Sequence, residues 1–304
     1  MSSSPSKPPT RTLDVIASLA DNPAALVQAG ELVDLRFPVG SHLSLRGAKL
    51  FCLLVQAAGV RIVAPEEHRL TLASLNTTFH VSVPELVELV DELHGTIIKL
   101  QLKDAQGRRF TKTGPILADV EREDEDQAQA ELRFTFGPAL RKAISNSTHW
   151  AVLSRRAVLT FTSRYALRLY TIMSLRTGLR RVSQEFTLDD LRELLGVPPG
   201  KLTRWQSIKQ KVLEPALAEV NHLSGFQVAY RPLKRGRAVV GVSLAWAVKD
   251  EPGRIEALKE LERSRVGRRA RREDGTDRIA TKDDQEREAL VQALDALPPP
   301  PRLI

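Results

Sequence analysis

Cysteine occurs once in the 304 residues, as Cys52, which excludes an internal disulfide framework and any cysteine-rich zinc motif. The residue lies in the apolar stretch Leu50 to Val55, where a small buried hydrophobe is expected rather than a nucleophile or ligand. The six histidines, His42, His68, His80, His94, His149 and His222, form no close pair, so the spacing offers no metal site. No apolar run approaches the roughly 18 to 20 residues of a membrane span, and the first dozen residues lack the apolar core of a signal peptide. A cytoplasmic location without membrane partners is the expectation. Cofactor signatures are missing as well. Gly196-Val-Pro-Pro-Gly-Lys-Leu202 superficially looks like a phosphate loop, but it is one residue short, has Leu where Ser or Thr must reach magnesium, and follows a predicted helix rather than a strand. No cofactor is expected, and no enzyme chemistry is indicated.

What the chain does have is positive charge, and it is concentrated. Residues 151–249 carry 17 Lys and Arg against 6 Asp and Glu, whereas residues 1–150 carry 16 against 18 and the remainder 12 against 13. The excess of +8 therefore resides in one region, the footprint of a surface that neutralises phosphates or, alternatively, of a basic solvated face. The apolar fraction of 42% and charged fraction of 27% suit a soluble globular chain long enough for two cores.

Residues 1–12, rich in Ser, Pro and basic side chains, read as a disordered arm, with structure beginning near Leu13. Leu43 to Ala58 shows apolar residues at three- and four-residue steps between Ser44, an N-cap, and Gly59, a stop. His68 to Leu75 reads as a shorter helix, and Val83 to Leu93 as another, with Ser82 as cap and Pro84 in the first turn. The period then changes to two over Thr96 to Leu102, ahead of the turn Asp104-Ala105-Gln106-Gly107, and further strands are expected at Ile116 to Val120 and Leu132 to Phe136. The acidic segment Glu121 to Glu131 between them reads as an exposed loop. Helices opening at Pro138 and spanning Trp150 to Phe161 follow, with the domain boundary near His149.

From Thr162 the order is an amphipathic helix (Ser163 to Leu175), a short helix opened by Thr187-Leu188-Asp189-Asp190, the turn Pro198-Pro199-Gly200, a longer helix, and a hairpin. The longer helix buries Leu202, Trp205, Ile208, Val212, Ala216 and Val220; Ser207, Gln210 and Lys211 point away from that stripe, flanked by Thr203 and Arg204, with Lys209 nearer its edge. Phe226 to Tyr230 and Val239 to Trp246 alternate as strands around Lys234-Arg235-Gly236-Arg237, a basic tip suited to gripping a nucleic-acid backbone or minor groove. Ser163 and Arg164 stand at a helix start, where N–H groups can seat a phosphate or be satisfied by a plain cap. That order is a helix-turn-helix with a wing, and the first half is compatible with a second copy. Beyond Lys249, arginines crowd into residues 263–272; they read as a solvated segment or a phosphate-tracking arm.

The stretches Ser163-Arg-Tyr-Ala-Leu-Arg-Leu-Tyr170, Leu191-Arg-Glu-Leu-Leu-Gly196, Lys201-Leu-Thr-Arg-Trp205, Val212-Leu-Glu-Pro-Ala216-Leu-Ala-Glu-Val-Asn221 and Lys234-Arg-Gly-Arg237 closely resemble the plasmid replication initiator family, the Rep proteins that bind iterons through two winged helices. Leu43 to Val60 is similar to the first core helix of that family's N-terminal domain. The resemblance covers residues 40–247 and is stronger in the second domain.

It implies an α+β fold of two tandem winged helices: an arm at 1–12, an N-terminal domain at 13–148 for dimerisation and auxiliary DNA contact, a C-terminal domain at 149–249 for sequence-specific binding, and a charged, Pro-ended, partly disordered tail at 250–304. Arg204, Lys209 and Gln210 then fall on the recognition helix with Lys201, Ser207 and Lys211 beside them. Ser163, Arg164 and Arg168 fall on a supporting helix, and Lys234, Arg235 and Arg237 on the wing. Gln210 departs from the basic residue often found at its position. The implied partners are double-stranded DNA at origin iterons and a promoter inverted repeat, host initiation protein and replicative helicase, and a second copy of the chain in autorepression. The competing readings are a tandem winged-helix transcriptional repressor and, as the enzyme alternative, a nicking initiator; for the latter, Tyr165 and Tyr170 belong to a predicted apolar stripe and offer no free nucleophile.

Overall fold

The computed structural model describes residues 11–38, 42–103, 106–123, 130–178, 182–268 and 270–272. The chain divides into two compact units, Met1–Leu159 and Thr160–Ile304.

In the first unit α1 (Thr12–Ser18), β1 (Ala25–Ala29) and α2 (Gly30–Val33) precede α3 (Leu45–Ala58). Ser44 caps α3 by accepting from the Gly47 N–H, and Gly59 ends it at φ +54°, a conformation that favours glycine. Strand β2 (His68–Thr71), helix α4 (Leu72–Asn76) and helix α5 (Val83–Gly95) follow, then the hairpin β3 (Ile97–Lys103) and β4 (Arg109–Pro115). Strands β5 (Leu117–Arg122) and β6 (Glu131–Phe136), helix α6 (Pro138–Ser145), strand β7 (Trp150–Ser154) and helix α7 (Arg155–Thr160) complete it. One sheet has the order β2-β6-β5, and β1 pairs antiparallel with β7. Leu50, Leu54, Leu93, Ile98, Leu100, Phe134 and Phe136 fill the core; the two Phe rings meet edge to face at 5.4 Å.

The second unit runs α8 (Arg164–Thr177), β8 (Ser183–Thr187), α9 (Leu188–Leu195), α10 (Trp205–Ile208), a π-turn (Lys209–Leu213), α11 (Glu214–Leu223), β9 (Phe226–Arg235), β10 (Ala238–Val248) and α12 (Glu251–Glu262). Its sheet order is β8-β10-β9. In each unit the last strand of the sheet lies between the strand that precedes the helix-turn-helix and its own hairpin partner, so both are winged helices, and the fold is α+β.

Several local expectations change. Trp150 to Phe161 is not one helix: Ala151 and Leu153 are buried while Val152 is exposed, a period of two, and only after Ser154, whose hydroxyl accepts from the Ala157 N–H at 3.3 Å, does the helix begin. Pairing of this strand with β1 carries the first unit past His149 to Leu159. His68 to Thr71 is likewise a strand, with Thr71 capping the short helix after it. Thr12, which composition places in the arm, is fully buried, and its hydroxyl donates to Ser147 Oγ at 2.8 Å. Residues 1–10, Asp104 and Ala105, residues 124–129 of the expected acidic loop, and the tail from 273 lie outside the described residues, whereas Glu121 and Glu131 at the two ends of that loop belong to β5 and β6. The thiol of Cys52 is buried, and desolvation pushes its pKa up to about 12, so it is inert. Among the described residues no helix is long and apolar enough to cross a membrane.

Candidate nucleic-acid interface

The second helix of the helix-turn-helix in the second unit is presented by a turn that the preceding helix holds. Helix α9 starts at Thr187, whose hydroxyl accepts from the Asp190 N–H, and stops at Gly196 in the left-handed region at φ +70°. Leu202 also adopts a positive φ of 50°, costly for a branched side chain. Arg192 holds this conformation: its Nε donates to the Leu202 carbonyl at 3.2 Å, one Nη to the Thr203 carbonyl, and the other to Asp189 at 2.6 Å. The helix consequently begins at Trp205, later than the apolar stripe from Leu202 predicts. Arg204 occupies the N-cap position in extended conformation instead of the helix proper, and Lys201 and Thr203 precede it on the exposed turn.

Beyond Ile208 the helix widens. The Glu214 N–H bonds to the Lys209 carbonyl, five residues back, and Lys209–Leu213 form a π-turn. Pro215 explains this, since a proline in a helix removes one N–H and crowds the carbonyl four residues earlier, here that of Lys211. The extra residue leaves Gln210 and Lys211 both exposed and Val212 and Leu213 both buried. Ser207 is half-buried. Lys209 is drawn sideways, its Nζ 3.4 Å from Glu214 Oε1, and the same oxygen accepts from the Tyr230 hydroxyl at 3.0 Å. Trp205 meets the Tyr230 ring edge-on at 6.1 Å, so the helix is tied to the wing strand at both positions.

The wing turn is tighter than the sequence suggests. Lys234 and Arg235 end β9, and Arg235 pairs with Ala238 across a two-residue loop of Gly236 and Arg237. Only Gly236 has positive φ, +61°, as a type II′ hairpin requires of its first central residue. Lys234, Arg235 and Arg237 are all exposed.

At the start of α8 the helix N-terminus is already occupied. Ser163 Oγ accepts from the Tyr165 and Ala166 N–H groups at 3.2 and 3.4 Å. Glu219, 4% exposed on α11, accepts from the Thr162 N–H at 2.6 Å, the Thr162 hydroxyl at 2.8 Å and the Ser163 N–H at 3.2 Å. Ser163 is thus a cap, and these N–H groups are already bonded within the chain. The guanidinium of Arg164 donates to the Tyr165 hydroxyl at 2.9 Å and lies 4.8 Å from its ring centroid. Arg168 donates to the Leu194 carbonyl at 2.9 Å and closes the end of α9.

The corresponding helix of the first unit is acidic. Glu85 pairs with Arg46 at 2.6 Å, Glu92 accepts from the Ser44 N–H and hydroxyl, and Glu88 and Asp91 are exposed. Such a face repels phosphate.

Two family models match the chain: "Initiator Replication protein, WH1" over residues 25–174 and "Initiator Rep protein, WH2" over residues 187–246. This chain belongs to the initiator Rep family. Among solved structures, that of the Pi initiator protein in complex with iteron DNA is similar, with a TM-score of 0.53 at 17% identity over 75% of this chain and 98% of that one. The WH1 domain of MSBI1.176, a replication protein isolated from a multiple sclerosis patient, matches 34% of this chain and 79% of its own length at 21% identity, with a TM-score of 0.27. No curated protein matches the chain. The WH2 match runs from Thr187, the cap of α9, to Trp246 in β10, so the Arg192-held turn, the π-turn and the basic wing all lie within it, whereas α12 lies outside.

Sequence reasoning missed Arg192, Glu219, Glu214 and Tyr230, which orient the helix and wing. Arg192 and Glu219 both stand within the motifs that carry the family resemblance, but only their partners, distant along the chain, reveal the roles. Gln206, which the sequence reading did not single out, is exposed one turn before Gln210.

Proposed function

We propose that this Rep-family chain initiates plasmid replication by binding iterons at the origin, with the second winged helix as the principal sequence reader. The carrying observation is that a cationic winged helix presents its exposed turn and helix, Lys201 to Lys211, together with an exposed basic wing tip, Lys234 to Arg237. Helix α10 and the π-turn enter the major groove, with Arg204, Ser207, Gln210 and Lys211 toward base edges or adjoining phosphates. The wing grips the backbone, and Arg164 adds a phosphate contact. Lys201 contacts the backbone from the turn; Lys209 and Arg168 act chiefly by positioning, through Glu214 and the end of α9, and Ser163 by capping.

The first winged helix, with its acidic helix and near-neutral charge, makes the lesser DNA contact and supplies the dimer interface used in autorepression at a promoter inverted repeat. The bound initiator destabilises neighbouring DNA and recruits host initiation protein and replicative helicase. Activity as a binder without a catalytic step follows from the same reading.

The test is a plasmid that carries only the origin, with the chain supplied in trans in a suitable host. Replication is the expected result. Promoter repression without replication would leave a transcriptional repressor, and metal-dependent cleavage of supercoiled origin DNA would replace the proposal with a nicking initiator.

A further inference from the structure

The exposed side of the recognition helix is less cationic than its surroundings. Arg204 stands before the helix, Lys209 is held by Glu214, and Lys211 follows at the π-turn. Between these cations the exposed helical residues are Gln206 and Gln210, four apart and therefore on one face. Neither is explained by packing. Ile208 and Val212, on the opposite side, are 0% and 1% exposed and anchor the helix in the core.

A glutamine amide carries one acceptor oxygen and two donor hydrogens, whereas Arg and Lys carry donors alone. In the major groove guanine offers two acceptors, O6 and N7, which suits a cation. Adenine offers N7 as acceptor and N6–H as donor, which suits the two-sided amide. Four residues of helix rise about 6 Å, close to two base-pair steps of about 3.4 Å.

We infer that Gln206 and Gln210 form a pair that reads two adenine edges about two base pairs apart, so the DNA sites of this chain contain A·T pairs beneath the recognition helix. The inference rests on the assignment of that helix as the base reader. The π-turn forced by Pro215 is part of the device: by inserting a residue it projects Gln210 and Lys211 together, which places an adenine reader beside a cation able to hold the adjoining phosphate. Lys209, engaged by Glu214, does not compete for the base.

The experiment is selection of duplexes from a randomised DNA pool by the full-length chain and by Q206A, Q210A and Q210R. The wild type is expected to enrich two adenines at fixed spacing, each alanine variant to lose one of them, and Q210R to exchange its adenine for guanine. In the wild-type consensus, 7-deazaadenine at either position should weaken binding about 5- to 150-fold. Identical consensus sequences for the wild type and both alanine variants, or undiminished binding to the deaza duplexes, would overturn the inference while leaving the helix as a reader through other residues. If the wild type enriches no common sequence, the base-reading assignment itself falls, and the inference with it.

Discussion

Glu219→Ala should destabilise the second unit by about 2 to 3 kcal/mol, although Glu219 touches no proposed DNA contact except through the start of α8. The carboxylate accepts three hydrogen bonds, at 2.6, 2.8 and 3.2 Å. Bonds to a charged acceptor contribute about 1.5 to 3 kcal/mol each when the partner is left stranded. Thr162 is exposed, so its N–H and hydroxyl regain water, and the unrecovered loss is chiefly that of the half-buried Ser163 N–H. Removal of a negative charge from the positive end of α8 adds about 0.3 to 2 kcal/mol, offset by relief of carboxylate desolvation. At about 2 to 4 °C per kcal/mol for a unit of this size, the expected fall in melting temperature is about 4 to 12 °C. The assay is urea and thermal unfolding followed by tryptophan fluorescence in a Trp150→Phe background, so that Trp205 and Trp246, both in the second unit, are the reporters. An unchanged midpoint would refute the view that this carboxylate holds the helix start. The same variant frees the Thr162 and Ser163 N–H groups just ahead of the helix; tighter binding to phosphate-rich DNA on a stability-corrected basis would show that Glu219 competes with a phosphate seat.

Further expectations concern the site and its supports. Arg192→Ala should release the turn carbonyls of Leu202 and Thr203 and weaken DNA binding about 5- to 30-fold, or 1 to 2 kcal/mol, with near-native circular dichroism; unaltered affinity would mean the turn holds itself. If 6 to 10 phosphates are neutralised, affinity should fall about 10³- to 10⁵-fold between 50 and 200 mM salt, and a flat titration would contradict the cationic-surface reasoning. Arg204→Ala should relax sequence preference by about 1 to 3 kcal/mol if it reads a base, whereas Arg235→Ala should weaken specific and random duplexes alike. Glu260, 1% exposed on α12, is opposed by burial, yet hydrogen bonds from Arg271 and Arg268 outweigh that and hold its pKa down at about 2. A depressed carboxylate stabilises above its ordinary value near 4.5 and loses that contribution as pH falls toward 2; urea midpoints over this window should drop more steeply for the wild type than for Glu260→Gln. Gly241→Ala should lower the yield of folded protein sharply, because the new Cβ would lie 2.5 Å from the Phe186 carbonyl oxygen on the neighbouring strand.

Where structure depends on neighbours along the chain, it was legible. Ser44, Ser82 and Thr187 cap the helices that their side-chain chemistry predicts, and Gly59 and Gly196 end helices as stops. The hairpin tip at Gly236 announced itself by glycine between cations. Trp150 to Ser154 was illegible because a short apolar run satisfies both a helical stripe and a buried strand, and only the pairing of Ala25 with Ser154 through Ala29 with Trp150 decides between them. Strand β8 was overlooked for a similar reason: Ser183, Gln184 and Glu185 are polar, and their extended form is imposed by registry with Ala245, Leu244 and Ser243. The cluster of arginines at 263–272 read as a solvated segment or arm; in the fold, Glu260 gathers Arg263, Arg268 and Arg271 at 3.4, 3.1 and 2.8 Å.

By itself the sequence determined that the second half is a cationic winged helix, because charge composition, helical periodicity and turn chemistry are properties of residues within a few positions of one another. It also carried the family resemblance, since those motifs are local strings. Tertiary structure alone decided which of the cations reach outward. Lys209 and Arg168 are spent on Glu214 and on the end of α9, the α8 start is filled by Glu219, and Arg192 sets the turn that delivers Arg204. Those outcomes depend on pairs up to 57 residues apart, and distance along a chain says nothing about which donor meets which acceptor until packing brings them within about 3 Å.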